Sequence, residues 1–208
     1  MGNIHFDGIV AQNGCYCAAG DGTVIFQSNI DSKDIRALVH SLEKYKPFPV
    51  SLMTRDNVYI NFINQDVENL AGFLGVGLPV IRPLHTIDED VMQVNIYGDV
   101  LLEEKLMKEV FTNCESSRWH PHFADVTPKG NSKKTGIEKI LNHFNLHREG
   151  SMAFGDGGND ISMLEYVQVG VAMGNSDDPK VLAAASHVAP SVDDDGIARF
   201  LHSFFLHL

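Results

Sequence analysis

The chain has 208 residues, enough for one ordinary domain or for a small core carrying an inserted second one. Apolar residues make up 44% and charged residues 21%, the balance of a globular chain rather than a disordered one. Sixteen Lys and Arg against 27 Asp and Glu give a net charge of −11, which argues against wrapping nucleic acid or lying on an anionic membrane.

No apolar run approaches the ~20 residues needed to span a bilayer. Residues 1–7 carry neither a basic stretch nor a long apolar one, so no signal peptide is expected. The three cysteines, Cys15, Cys17 and Cys114, are odd in number and form no C-x-x-C pair, which disfavours a disulfide framework or a four-cysteine zinc site. The expected compartment is a reducing cytoplasm.

In chain order, Phe6 to Ala11 is a short apolar run closed by Gln12-Asn13-Gly14, a turn signal. Val24 to Phe26 and Val58 to Ile63 read as strands. Asp31 to Tyr45 reads as a helix, with Asp31 as N-cap and Ile35, Leu38, Val39 and Leu42 on one face. Gln65 to Leu74 is a weaker helix ended by Gly75 and Gly77. Met92 to Tyr97 alternates as a half-buried strand, and Leu101 to Phe111 is helical.

Beyond Asp125 the chain repeats strand, turn and helix. Ser132 or Thr135 caps a helix whose apolar face is Ile137, Ile140, Leu141 and Phe144. Ser151 to Phe154 is a strand, Gly155 to Asn159 a glycine-rich turn, and a helix follows through Ile161, Leu164 and Val167. Val169 to Met173 is the next strand. A helix capped by Ser176 or Asp177, with Pro179 in its first turn, runs Lys180 to Ala185. His187 to Ala189 is a third strand and Gly196 to Phe204 a last helix. Such alternation predicts a parallel sheet with helices on both faces, and the middle of the chain reads as a separate α+β unit.

The chemistry concentrates in Gly155-Asp156-Gly157-Gly158-Asn159-Asp160, placed where an open α/β sheet binds ligands, at a strand's carboxyl end. Asp156 is the first polar residue beyond the strand. Hard oxygen donors there suit Mg²⁺, which takes one or two carboxylates plus waters and substrate phosphate. The bland alternative is that Asn159 or Asp160 only caps the helix and the glycines only turn the chain. Lys133, at the start of the preceding helix, adds a cation where a helix N-terminus already attracts anions, but Lys129, Lys134 and Lys139 nearby are also consistent with a solvated face.

The ordered set is more specific than its parts: Lys133 in NSKK, then GDGGNDISML, VAMGNS and SVDDDGIA. Residues 123–201 resemble the C-terminal core of the haloacid dehalogenase superfamily, specifically the Cof-type phosphatases, and FDGIVAQNG near the N-terminus resembles another of their motifs. The resemblance implies an α/β, Rossmann-like core with an inserted α+β cap domain: residues 1–15 and 123–208 as core, 16–122 as cap. It implies transfer of a phosphoryl group from a small phosphorylated metabolite to an aspartate and then to water, with Mg²⁺ as cofactor. By resemblance Asp156 ligates the metal, and Asp160 is assigned to the metal site, as a ligand or in its outer shell, and to catalysis. Lys133 offsets charge where phosphate and nucleophile meet, and Asn159 touches the phosphate or substrate.

One departure is large. The family's nucleophile lies in a D-x-D-G-T segment that this sequence does not contain. Asp21-Gly22-Thr23 is a decoy, because Ala19 stands where the nucleophile would be, residues 13–18 are not expected to form a buried strand, and Asp-Gly suits a hairpin turn. Asp7-Gly8 also fails, with His5 and Ile9 at the flanking positions. The expected sheet then has a gap between the strands near Ile9 and Ala153. The favoured expectation is a chain lacking its N-terminal segment. The alternatives are a homodimer or a separate polypeptide that fills the gap, and a catalytically inactive, phosphate-binding derivative of the fold. Without a nucleophile, turnover should fall by roughly 10⁶-fold.

Weaker signals have plainer explanations. His120-Pro121-His122 beside Trp119 reads as a linker between cap and core rather than a metal pair. Cys15 and Cys17 read as small half-buried residues, and Asp193 to Asp195 as the acidic start of a helix. Asn13 reads equally as a left-handed turn residue or a substrate contact. Arg55 and Arg82 could meet an anionic substrate.

Overall fold

The computed structural model describes residues 5–206, so the part of the N-terminal expectation that falls on residues 1–4 lies outside the described residues. The strands and helices run β1 (Gly8–Ala11), β2 (Tyr16–Ala19), β3 (Val24–Gln27), α1 (Ser32–Lys44), β4 (Val50–Met53), β5 (Val58–Ile60), α2 (Gln65–Leu74), β6 (Val80–Ile81), β7 (Gln93–Tyr97) and α3 (Val100–Glu109). They continue with β8 (Cys114–His120), β9 (Phe123–Pro128), α4 (Lys133–His143), β10 (Met152–Gly155), α5 (Ile161–Tyr166), β11 (Val169–Met173), α6 (Pro179–Ala184), β12 (His187–Ala189) and α7 (Gly196–Leu206). The chain divides into two compact units, residues 1–25 with 132–208, and residues 26–131.

The second unit is built on a six-stranded sheet of order β6-β5-β4-β7-β9-β8. Side chains alternate across the pleat, so Val50, Leu52, Val94, Ile96 and Val126 share one face. Leu38 of α1 and Leu106 of α3 pack on that face and are fully buried. Asp31 accepts a hydrogen bond from the Lys33 N–H at 2.9 Å and starts α1 as its N-cap. The opposite face carries Ser51, Gln93, Asn95 and Asp125, all buried. There Gln93 Nε2 donates to Asn95 Oδ1 (2.7 Å) and to Asp125 Oδ1 (3.0 Å), and Trp119 Nε1 donates to Asp125 Oδ2 (3.3 Å). α2 packs Val67 and Leu70 against Ile60, Tyr97 and Phe123 at one end of this face.

In the first unit β10, β11 and β12 form a parallel sheet. Leu164 of α5 and Val181 of α6 pack with Ala172 in one apolar cluster, while Phe200 of α7 packs with Val171, Met173 and Ala189 in another. This is the expected parallel layer with helices on both faces. β1 pairs antiparallel with β2, and β3 completes a separate three-stranded sheet. The Gln12–Gly14 turn lies against α4. A Cβ on Gly136 would stand 2.4 Å from Val10 Cγ1, and one on Gly14 would stand 2.0 Å from the Ser132 carbonyl oxygen. These two glycines let the turn and the first turns of α4 touch, which fixes where Lys133 begins its helix.

Several expectations change. The boundaries placed at 15/16 and 122/123 move to 25/26 and 131/132, because β9 pairs with β7 and β8 and so belongs to the second unit's sheet. Residues 16–19 do form a buried strand, although Asp21-Gly22 does make the hairpin turn, with Thr23 N–H on Asp21 Oδ1 at 2.9 Å. His120 ends β8 and Pro121-His122 turns into β9, so this segment is a tight connection between sheet strands, not a linker between units. Asp178, rather than Ser176 or Asp177, caps α6. Cys15 and Cys17 are fully buried.

Gly136→Ala should destabilise the protein by about 1–3 kcal/mol in urea unfolding, since the added methyl overpacks the turn against α4. Burial pushes the Cys17 and Cys114 thiols up to about 11. Both stay protonated in the folded state above pH 9.0 while the unfolded chain loses those protons, so stability should fall between about pH 9 and 11. Substituting serine for both cysteines should flatten that part of the pH–stability curve.

Candidate functional site

β10 ends at Gly155, and the chain turns through Asp156, Gly157 and a 3-10 turn over Gly158–Asp160 into α5. Asp160 organises the turn. The residue is only 4% exposed, and both carboxylate oxygens are used. Oδ2 accepts the backbone N–H groups of Asp156 (3.0 Å) and Gly157 (3.1 Å). Oδ1 accepts Lys133 Nζ at 2.5 Å. Gly155 makes this return possible, because a Cβ there would lie 2.6 Å from the Asp160 Cβ.

Lys133 is the first residue of α4. Ser132 caps that helix: its Oγ accepts the Thr135 N–H (3.2 Å), and Thr135 Oγ1 accepts the Ser132 N–H (2.9 Å). The Lys133 side chain, a third exposed, therefore projects from a fixed helix start, with its ammonium on a buried carboxylate. A cation at a helix N-terminus opposes the dipole unless an anion joins it, and Asp160 supplies one negative charge there.

Asn159 Nδ2 donates to Asn13 Oδ1 at 3.0 Å. Asn13 and Gln12 both sit in the left-handed region, at φ 53° and 50°. Asp156 is exposed. Its carboxylate accepts Asn175 Nδ2 (3.4 Å), and its carbonyl accepts Ser176 Oγ (2.7 Å). Asn175 Oδ1 in turn accepts the Val192 N–H at 3.0 Å. The segments around residues 13, 133, 156, 175 and 192 are thus tied into one end of the first unit.

All four residues singled out from sequence lie in this network. Lys133 and Asp160 touch, Asp160 orders the backbone of Asp156, and Asn159 is held by Asn13. Of the two places in the metal site given to Asp160, the outer one fits its bonds, because its oxygens face Lys133 and the loop amides. Asp156 is the carboxylate left accessible. Among the described residues no group of three or more His, Cys, Asp or Glu could hold a metal alone, and His120 with His122 forms no such group. The donor set fits a hard cation such as Mg²⁺, which takes one carboxylate with waters and a phosphate. Asn13, read from sequence as a left-handed turn residue or a substrate contact, is in the left-handed region and holds Asn159. Ser176, read as a helix cap, instead bonds the Asp156 carbonyl, and Asn175 was given no role. The recurring NG and GNS motifs were the available signal.

The family model of haloacid dehalogenase-like hydrolases matches residues 1–201. The chain belongs to that family. It is 32% identical over 179 residues to "Putative phosphatase YkrA" of Bacillus subtilis, covering 86% of this chain and 68% of that protein. It is 29% identical over 177 residues to the 5-amino-6-(5-phospho-D-ribitylamino)uracil phosphatase YitU of the same organism, covering 82% of this chain and 65% of that one. The solved structure of a haloacid dehalogenase subclass IIB sugar phosphatase, BT4131, superposes with a TM-score of 0.84 at 35% identity, covering 96% of this chain and 76% of the other. The chain thus spans about two thirds of these curated relatives. Its fold is the α/β fold of the subclass IIB, Cof-type phosphatases.

Asp160→Ala should cost more stability than Lys133→Ala, about 3–5 against about 1 kcal/mol, because it strands a lysine and two loop amides while the reverse change leaves Asp160 its amide partners. Urea unfolding of the two variants checks the order. Equal costs would mean that Asp160 does not organise the loop.

Proposed function

We propose that this chain forms the phosphate- and cation-binding part of a Mg²⁺-dependent phosphohydrolase that acts on small phosphorylated metabolites of the sugar-phosphate kind. The observation that carries the reading is that one buried carboxylate, Asp160, bonds both the Lys133 ammonium and the backbone N–H of Asp156. A cationic anchor and an exposed carboxylate are thereby held at one strand end. Phosphatases of this family are generally metal-dependent. The named activities of YitU and BT4131, both on phosphorylated sugars or sugar-like chains, support the substrate class.

In this reading Lys133 neutralises phosphate charge, and its hold on Asp160 keeps it from swinging into solvent. Asp160 acts through the loop and the lysine and is a positioning residue. Asp156 offers its carboxylate to Mg²⁺, which when bound supplies positive charge beside the phosphate. Asn159, tethered by Asn13, faces the phosphoryl group or its ester oxygen. Attack on phosphorus is assigned to no residue of this chain. The net charge of −11 makes the local cations necessary for an anionic ligand. All three cysteines are buried, and among the described residues no helix is long and apolar enough to cross a membrane.

The test is calorimetric binding of ribose 5-phosphate and of ribose to the full chain. The phosphate ester should bind and the free sugar should not. Lys133→Ala should weaken the ester by roughly 10–100-fold, the worth of a hydrogen bond to a charged group. Equal binding of ester and sugar, or an unchanged Lys133→Ala variant, would overturn the reading.

A further inference from the structure

One unexplained feature lies wholly in the second unit. A pocket of about 510 Å³ opens between α2, the 76–80 segment and one end of the six-stranded sheet. That is the size of a small-molecule site. Leu70 and Leu74 of α2, Val76 and Leu78 form its walls, and Tyr97 and Phe123 lie at its floor. Leu74, Val76 and Leu78 are 45%, 58% and 51% exposed, so the mouth presents apolar surface to water that folding has not buried.

Its polar groups are few and of one character. Asp56 and Asn57 stand on the lining with Asn95, and no described lysine, arginine or histidine lines it. Arg55 pairs with Asp56 at 3.9 Å from outside the lining. The Tyr97 phenol is pushed up by burial and stays neutral. An anion entering here would lose its hydration and find no lysine, arginine or histidine on the lining itself. The chemistry is the opposite of that around Lys133.

We propose that this pocket is a second ligand site that takes a small, mainly apolar, uncharged or cationic molecule, with its ring or branched aliphatic body between α2 and the sheet and its polar end toward Asp56 and Asn57. Burying the apolar mouth supplies the affinity. The apolar walls, with no lysine, arginine or histidine on the lining, supply the selection against anions.

The chain has a single tryptophan, Trp119, whose ring lies 5.0 Å from Phe123 on the pocket floor, so energy transfer from it reports occupancy. Two dyes probe the site: N-phenyl-1-naphthylamine, which is neutral, and its anionic sulfonate, 8-anilinonaphthalene-1-sulfonate. The neutral amine should saturate at one per chain and bind at least about tenfold tighter than the sulfonate. Asp56→Lys should narrow that gap. Ala71→Phe, which fills the pocket, should weaken the amine at least about fivefold. If Ala71→Phe fails to fold, Val76→Glu at the exposed mouth decides by the same criterion. The proposal is overturned if neither dye saturates, if the sulfonate binds as tightly as the amine, or if folded pocket variants bind like the parent. It is also overturned if millimolar inorganic phosphate displaces the amine, which would make this part of the phosphate site. A dimer that Val76→Glu dissociates, and that excludes the dye until it does, would equally overturn it in favour of a second copy as the occupant.

Discussion

A buried carboxylate cannot be left unpaired, and the end of the first unit is arranged around that constraint. Asp160 has almost no contact with water, so its charge must be met by donors. Two come from the backbone of the loop that its own helix follows, and the third is the Lys133 ammonium from a different helix. The consequence is mechanical as well as electrostatic. The loop cannot open without stranding the carboxylate, and Lys133 cannot leave without taking one of its three donors away. A flexible lysine and a glycine-rich turn, both floppy alone, are thereby given fixed positions.

The two units meet polar burial in different ways. In the first, charge is buried next to the site and serves it. In the second, Gln93, Asn95, Asp125 and Trp119 bond to one another across three strands of the sheet. Alternation along β7 puts these amides on the face opposite Val94 and Ile96, so the same strand builds an apolar core on one side and a polar network on the other. α2 covers only one end of that polar face, and the apolar pocket lies beneath it.

How much of this was legible follows from the range of the interactions. α1 and α4 could be read with their caps, because Asp31 and Ser132 act on backbone groups two or three residues away. β11 is a buried run, VGVAM, that no other element type fits so well. β8 was missed because CESSRWH carries polar residues at nearly every position of an edge strand. β2 was missed because YCAA offers small side chains whose burial comes from packing, not hydropathy. At the site, the motif order picked out Lys133, Asp156, Asn159 and Asp160. That Asp160 turns inward to bond its own loop, and that Asn13 holds Asn159 across 146 positions of sequence, depends on tertiary contacts that no local pattern encodes.

The central claim is that the loop held by Asp160 joins an anion site to a cation site. Thermodynamic linkage tests it without any turnover: phosphate affinity measured by calorimetry across a Mg²⁺ titration, for the parent chain and for Asp156→Asn. The account predicts that Mg²⁺ tightens phosphate binding in the parent and leaves the variant's weaker binding unchanged. Tightening of equal size in both, or none in the parent, would contradict it.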